Sequence, residues 1–162
     1  MKIIKVEIKN LKPVSGKYKQ GYYIPKNVVK YLGDPMKIIY RSSWEYHFCV
    51  YCDLNDFIVN WSSEPIAIPY ISPIDNKPHR YYVDFYMCVL KNDVIEKYIV
   101  EIKPSSQLLQ PVLKTRTAKR LKRYNSDAKT WIVNRSKFQA AQEYARLHGY
   151  KFTIVTEKFL FN

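Results

Sequence analysis

Two apolar stretches of this chain each carry an acidic residue where a core side chain is expected: Tyr82-Val83-Asp84-Phe85 and Val100-Glu101-Ile102-Lys103. A carboxylate in a buried strand is costly unless cations or hydrogen-bond donors offset it. Residues 80–90 and 94–103 read as two long strands, joined by Lys91-Asn92-Asp93 and stopped by Pro104. With Asn92-Asp93 as a two-residue turn, Lys91 pairs with Val94 and Asp84 falls directly opposite Glu101. Their Cβ atoms then stand roughly 5 Å apart on one face. Lys103 shares that face, because strand side chains repeat every second residue.

Like charges facing each other destabilise a hairpin, so either one carboxyl is protonated or a cation lies between them. Oxygen ligands on paired strands suit Mg2+ or Mn2+, which accept few protein ligands and keep waters. Such an ion lowers the pKa of a bound water and stabilises charge on a phosphate. Lys103 is then placed to hold an attacking water or to neutralise charge developing at phosphorus. The alternation of Tyr82, Asp84, Tyr86 and Cys88 with Val83, Phe85, Met87 and Val89 also permits a plain hairpin with one exposed polar face.

The chain holds 27 Lys and Arg against 14 Asp and Glu, a net charge of +13. A domain this basic commonly meets a polyanion; a merely cationic protein is the other reading. The excess is concentrated. Ten basic residues and one acid, Asp127, fall between Lys103 and Lys137, and six Lys with one Glu fall in the first twenty residues. At 162 residues the chain suits one domain with a real core. It has no apolar run of 18 residues, so no membrane span is expected. The first residues lack the apolar block of a signal peptide. Three cysteines, an odd number, fit a reducing compartment better than a disulfide framework.

Residues 3–8 alternate weakly and predict a short edge strand. Residues 10–37 hold Pro13, Gly16, Gly21, Pro25, Gly33 and Pro35 and read as an extended basic arm with little regular structure, anchored by Tyr18, Tyr22, Tyr23 and Tyr31. Ser42 is a good N-cap for a helix reaching about Asp53, with Trp44, Phe48, Tyr51 and Cys52 on its buried face. Strands are expected at 57–61 and 66–71. Residues 105–125 read as a basic loop with at most one short helix. A second helix is expected from Asp127, or as late as Asn134, to His148, with Gly149 as its stop. A final strand covers 151–155.

Glu45 has two readings. Three residues after Ser42 it completes a capping box, worth about 1 kcal/mol; alternatively it points toward the metal. His79 and Arg80 either contact a phosphate near the metal or form an exposed strand entrance. Lys114, Arg116, Lys119, Arg120, Lys122 and Arg123 are the best candidates for following a duplex backbone, against the alternative of a solvated charged helix. Aromatic residues are sparse among them, which disfavours stacking on single strands. Gln107 is a weaker candidate for contact with substrate or metal-bound water. His47, Cys49 and Cys52 lack the second pair of ligands that a zinc finger needs, so the cysteines are read as core.

Five motifs occur in one order: Arg41-Ser42-Ser43-Trp44-Glu45, Trp61-Ser62-Ser63-Glu64, Ser72-Pro73-Ile74-Asp75, His79-Arg80-Tyr81-Tyr82-Val83-Asp84-Phe85 and Val100-Glu101-Ile102-Lys103-Pro104. This set resembles the head-completion nucleases of tailed phages with contractile tails, over about residues 24–160. Asn134, Lys137, Ala140-Ala141 and Thr156-Glu157 extend the likeness. Those nucleases are in turn similar to the TnsA-type transposon endonucleases of the PD-(D/E)xK superfamily. The resemblance implies an α/β fold with a restriction-endonuclease-like core, a mixed central sheet flanked by helices. It divides the chain into a basic N-terminal arm (1–25) and a nuclease domain (26–162).

It further implies Glu45 as an acid from the first helix, Asp84 and Glu101 as metal ligands with the Ile102 carbonyl, and Lys103 as the catalytic lysine. Mg2+ or Mn2+ is the implied cofactor, with no small-molecule cofactor. Double-stranded DNA, touched by Lys137 as well as the basic cluster, and phage portal, head or packaging proteins are the implied partners. The position before Asp84, where the superfamily carries proline, is Val83. The expected activity is a metal-dependent DNA endonuclease in phage head completion, acting in the host cytoplasm during assembly or at the head vertex of the virion. Two other readings are a non-catalytic DNA-binding plug of the vertex and a nuclease subunit that cuts only with its partners.

Overall fold

The computed structural model describes residues 20–161. The strand predicted over residues 3–8, and Tyr18, lie outside them. The elements in chain order are β1 (Gly21–Tyr23), β2 (Ile38–Tyr40), α1 (Ser43–Leu54), β3 (Ile58–Ser63), β4 (Ala67–Ile71), β5 (Pro78–Tyr82), β6 (Phe85–Lys91), β7 (Val94–Ile102), α2 (Ala118–His148), β8 (Lys151–Val155) and the single-turn α3 (Glu157–Leu160). The main sheet runs in the order β3-β6-β7-β8. Its first three strands are antiparallel and β8 joins β7 in parallel, so the sheet is mixed.

The β6–β7 hairpin has the register read from its turn. Phe85 faces Val100 and Lys91 faces Val94. Asn92 and Asp93 both have positive φ, 50° and 63°, which two-residue hairpin turns matching strand twist require and Asn and Asp tolerate. The single strand expected over residues 80–90 is corrected to two. β5 ends at Tyr82 and pairs with β4 in a separate two-stranded sheet, while β6 starts at Phe85. The chain changes partner at Val83-Asp84: Val83 N–H bonds the Ile66 carbonyl, and the Asp84 carbonyl accepts from Glu64 N–H. Apolar alternation ran unbroken through this point because Val83 is fully buried too.

Period two sorts β7 between two cores. Val100 and Ile102 join Phe48, Cys49, Cys52, Ile58, Trp61 and Phe85 beside α1. Ile99 joins Ile68, Tyr81, Val83, Ala141 and Ala145 beside α2. Glu101 and Lys103 therefore belong to the α2 side of the sheet.

The second helix begins nine residues earlier than the earlier of its two predicted starts, at Ala118. Lys and Arg are good helix formers, but an all-polar stretch shows no apolar period. Thr117 caps it by accepting from Arg120 N–H, and Gly149 closes it with φ 68° in the left-handed region.

Of the segment predicted as a loose arm, residues 10–19 lie outside the described residues, and the rest carries regular structure. β1 pairs with β2, and a 3-10 turn covers Val28–Lys30. Tyr31 packs edge-on against Trp61, with ring centres 4.8 Å apart. Asp53, fully buried at the end of α1, ties the segment down: its carboxylate accepts from Tyr23 Oη at 2.8 Å, Lys26 N–H at 2.7 Å and Asn27 N–H at 2.9 Å. Asp53→Ala leaves three donors without their acceptor, each costing about 1–3 kcal/mol. Urea unfolding is expected to show a loss of about 3–5 kcal/mol; a loss under about 1 kcal/mol would show that the strap does not depend on this carboxylate.

Candidate active site

The break at Val83-Asp84 frees Asp84 from the ladder while keeping it one residue before the Phe85–Val100 pair, at the register position opposite Glu101. Its Oδ2 turns onto the edge of β7 and accepts from Ile102 N–H at 2.7 Å. On a strand a residue's N–H and C=O face the same neighbour, so the Ile102 carbonyl looks toward Asp84 as well.

Glu101 is 2% exposed, and both of its oxygens are engaged. Lys103 Nζ lies 2.8 Å from Oε1, and Tyr81 Oη donates to Oε2 at 2.5 Å. Burial first, then the charge of Glu101, pushes the Asp84 carboxyl up to about 8, against the pull of Lys103 and the Ile102 N–H. Burial alone would lower the Lys103 ammonium, but the charges of Glu101 and Asp84 and the bond to Glu101 together hold it above its ordinary value.

Glu45 sits at the N-terminus of α1 and makes a variant of the expected capping box, its carboxylate taking the N–H of Arg41 in place of that of Ser42. Its N–H bonds Ser42 Oγ, its Oε1 accepts from Ser42 Oγ at 3.0 Å, and its Oε2 accepts from Arg41 N–H at 2.7 Å. Its charge still acts at both Asp84 and Lys103. Arg41 also makes a forked pair with Glu64, at 2.8 and 3.0 Å, and Glu64 N–H bonds the Asp84 carbonyl. Glu64 adopts φ 45°, a conformation costly for a residue with a Cβ, of the kind that clusters at functional sites. A hydrogen-bonded path thus runs from the Glu45 carboxylate through Arg41 and Glu64 to the backbone of Asp84.

The remaining candidates are spread more widely. His79 lies on β5 with Nε2 2.9 Å from Asp75 Oδ2, and Arg80 is exposed beside it. Lys114 and Arg116 lie in the exposed link before α2. Lys119, Arg120, Lys122 and Arg123 ride on the first turns of α2, where residues 118–123 are all exposed and close burial begins only at Asn134. Cations at a helix N-terminus oppose the helix dipole, so this end suits an anionic partner. Lys137, farther along the helix, holds its Nζ 5.6 Å from the ring centre of Tyr81 and 5.8 Å from that of Tyr70. Gln107 is exposed in a 3-10 turn after β7. Cys49, Cys52 and Cys88 are buried, and burial raises the thiols of Cys49 and Cys52.

Residues 55–157 match the family described as TnsA-like endonuclease N terminal. The chain belongs to the TnsA-like endonuclease family. Its core is accordingly restriction-endonuclease-like, an α/β domain with the mixed sheet described above. The chain is also 41% identical over 138 residues to a protein named head completion nuclease from Enterobacteria phage T4, covering 85% of this chain and 90% of that one. No solved structure matches it. Asp84, Glu101 and Lys103 lie inside the region matched to the family, and Arg41 and Glu45 precede it.

The donor set fits a hard divalent cation. Asp84, one residue before β6, and Glu101 on β7 would supply carboxylates and Ile102 a carbonyl, and burial first and then the charge of Glu101 raise the Asp84 carboxyl. Among the described residues no three His, Cys, Asp or Glu side chains form a metal cage by themselves. Mg2+ commonly binds through one or two carboxylates and keeps its waters.

Tyr81 and Glu64 were not singled out from the sequence as site residues. Had β5 and β6 been one strand, Tyr81 would have faced away from Asp84 and Glu101; only the break turns it inward.

The raised Asp84 value carries a sign. Ionised Asp84 opposes folding, so its contribution to stability is full below the ordinary carboxyl value of 3.8 and is lost as pH rises through about 8. Asp84→Asn, neutral throughout, is expected to melt above wild type at pH 9 in EDTA by at least about 3 °C, the shift that 1 kcal/mol makes in a domain of this size. The gap should close toward pH 5, and identical melting temperatures at pH 9 would refute it.

Proposed function

We propose that this protein is a divalent-metal-dependent DNA endonuclease of phage head completion, with Asp84, Glu101 and Lys103 at its centre. One observation carries the reading: Asp84, one residue before β6, accepts from the Ile102 N–H of β7 beside Glu101, whose carboxylate holds Lys103 at 2.8 Å. Family membership and the 41% identity to a head completion nuclease support the same role.

Asp84, Glu101 and the Ile102 carbonyl would hold Mg2+ or Mn2+. A bound ion of this kind supplies an acidic water and a Lewis acid for a phosphate oxygen. Lys103 keeps its ammonium charged and aimed, because Glu101 fixes it and its proton affinity is raised. From there it donates to the attacking water or to the phosphate oxygen that gains charge. Glu45 adds negative charge at the rim and, on turning away from Arg41 N–H, can hold water or metal. The exposed start of α2, with Lys119, Arg120, Lys122 and Arg123, and the link with Lys114 and Arg116 follow the duplex backbone. His79, Arg80 and Lys137 approach it nearer the centre. Portal, head or packaging proteins are the proposed protein partners, and host cytoplasm or the head vertex is the proposed location.

Wild-type protein with Mg2+ or Mn2+ is expected to nick or linearise a supercoiled plasmid. Asp84→Ala should abolish this, and Lys103→Ala should slow it about 100- to 1,000-fold, the scale of losing one charge-stabilising donor. Equal activity in wild type and Asp84→Ala would remove the enzyme reading. Inactivity of both would favour a DNA-binding vertex plug, and activity only on adding packaging or portal proteins would favour an obligate complex.

Duplex affinity should fall steeply with salt. Replacing Lys119, Arg120, Lys122 and Arg123 together by Ala should flatten the plot of log K against log salt by about 0.9 for each phosphate that the variant no longer neutralises. An unchanged slope would remove these residues from the interface.

A further inference from the structure

We infer that Tyr81 is a positioning residue for the metal site: its hydroxyl sets the rotamer of Glu101 so that the carboxylate faces Asp84. The inference rests on the metal-site reading above.

Tyr81 is 3% exposed and sits among Ile68, Val83, Ile99, Ala141 and Ala145. Phe would fill this apolar space equally well. A hydroxyl carried into it costs free energy unless bonded, and here it has one partner, Glu101 Oε2 at 2.5 Å.

Glu101 in turn is gripped from two sides. Lys103 holds Oε1 from its own strand, and Tyr81 holds Oε2 from β5. A carboxylate offers about four lone-pair sites, so each oxygen keeps one direction open and a cation need displace neither partner. Without the hydroxyl, Lys103 alone restrains the group, and Lys103 is itself a flexible side chain required for chemistry.

The ring of Tyr81 is also held. β5 pairs it with Ile68 on β4, and the Lys137 ammonium lies over its face and that of Tyr70. The small β4–β5 sheet therefore does more than cover α2. It delivers one hydroxyl to one ligand, which is how outer partners commonly orient metal-binding carboxylates.

The test is Mn2+ titration by calorimetry on the full chain, comparing wild type, Tyr81→Phe and Tyr70→Phe, each with its melting temperature in EDTA. Tyr81→Phe keeps the ring and is expected to weaken Mn2+ about 10- to 100-fold, the usual loss for such a partner. Tyr70→Phe, which shares Lys137 but not Glu101, should bind Mn2+ within twofold of wild type. At saturating Mn2+, Tyr81→Phe should lower kcat with KM for plasmid unchanged. Wild-type affinity in Tyr81→Phe would overturn this role and leave the metal site standing. Equal losses in both Phe variants would assign the effect to packing and also overturn it. Failure of wild type to bind Mn2+ would remove the metal-site reading and this inference together.

Discussion

The pairing of β6 with β7 governs the rest of the molecule. It brings Asp84 to the level of Glu101 and lines both up with Lys103. That arrangement is electrostatically poor as it stands. Burial and mutual repulsion raise the Asp84 carboxyl to about 8, and one ammonium answers the charge of several acids. A domain optimised for stability alone would place apolar residues there. The surrounding hydrogen bonds hold the carboxyl groups in place despite burial and mutual repulsion.

Those bonds come from separate parts of the fold. Ile102 N–H restrains Asp84, Tyr81 and Lys103 restrain Glu101, and Glu64 N–H restrains the Asp84 backbone. Arg41 links Glu64 to Glu45. Two of these supports come from different cores: Ile102 from the one beside α1 and Tyr81 from the one beside α2.

The same layering separates the carboxyl cluster from the basic surface. The carboxylates lie at the end of the sheet on the α2 side, while the cations of α2 stand on its exposed first turns. Residues 118–123 are all exposed, whereas Glu101 is buried and Lys103 is half-buried.

Much of this was legible in the chain. The turn at Asn92-Asp93 determined the hairpin register, and with it the meeting of Asp84 with Glu101, because strand geometry has a period of two and a two-residue turn leaves no slack. Ser42 marked the start of α1 and Gly149 the end of α2 for equally local reasons. Three features were decided only by tertiary structure. The chain leaves one sheet for another at Val83-Asp84, a change set by which edges are free to pair and invisible in an unbroken apolar pattern. The first turns of α2 are helical as the extension of a packed helix, with no apolar face of their own to announce them. Tyr81 reaches Glu101 because that change of partner turns β5 over. A sequence records which residues prefer which geometry, but the meeting of separate sheets depends on how they pack, and that is where the supports of the site arise.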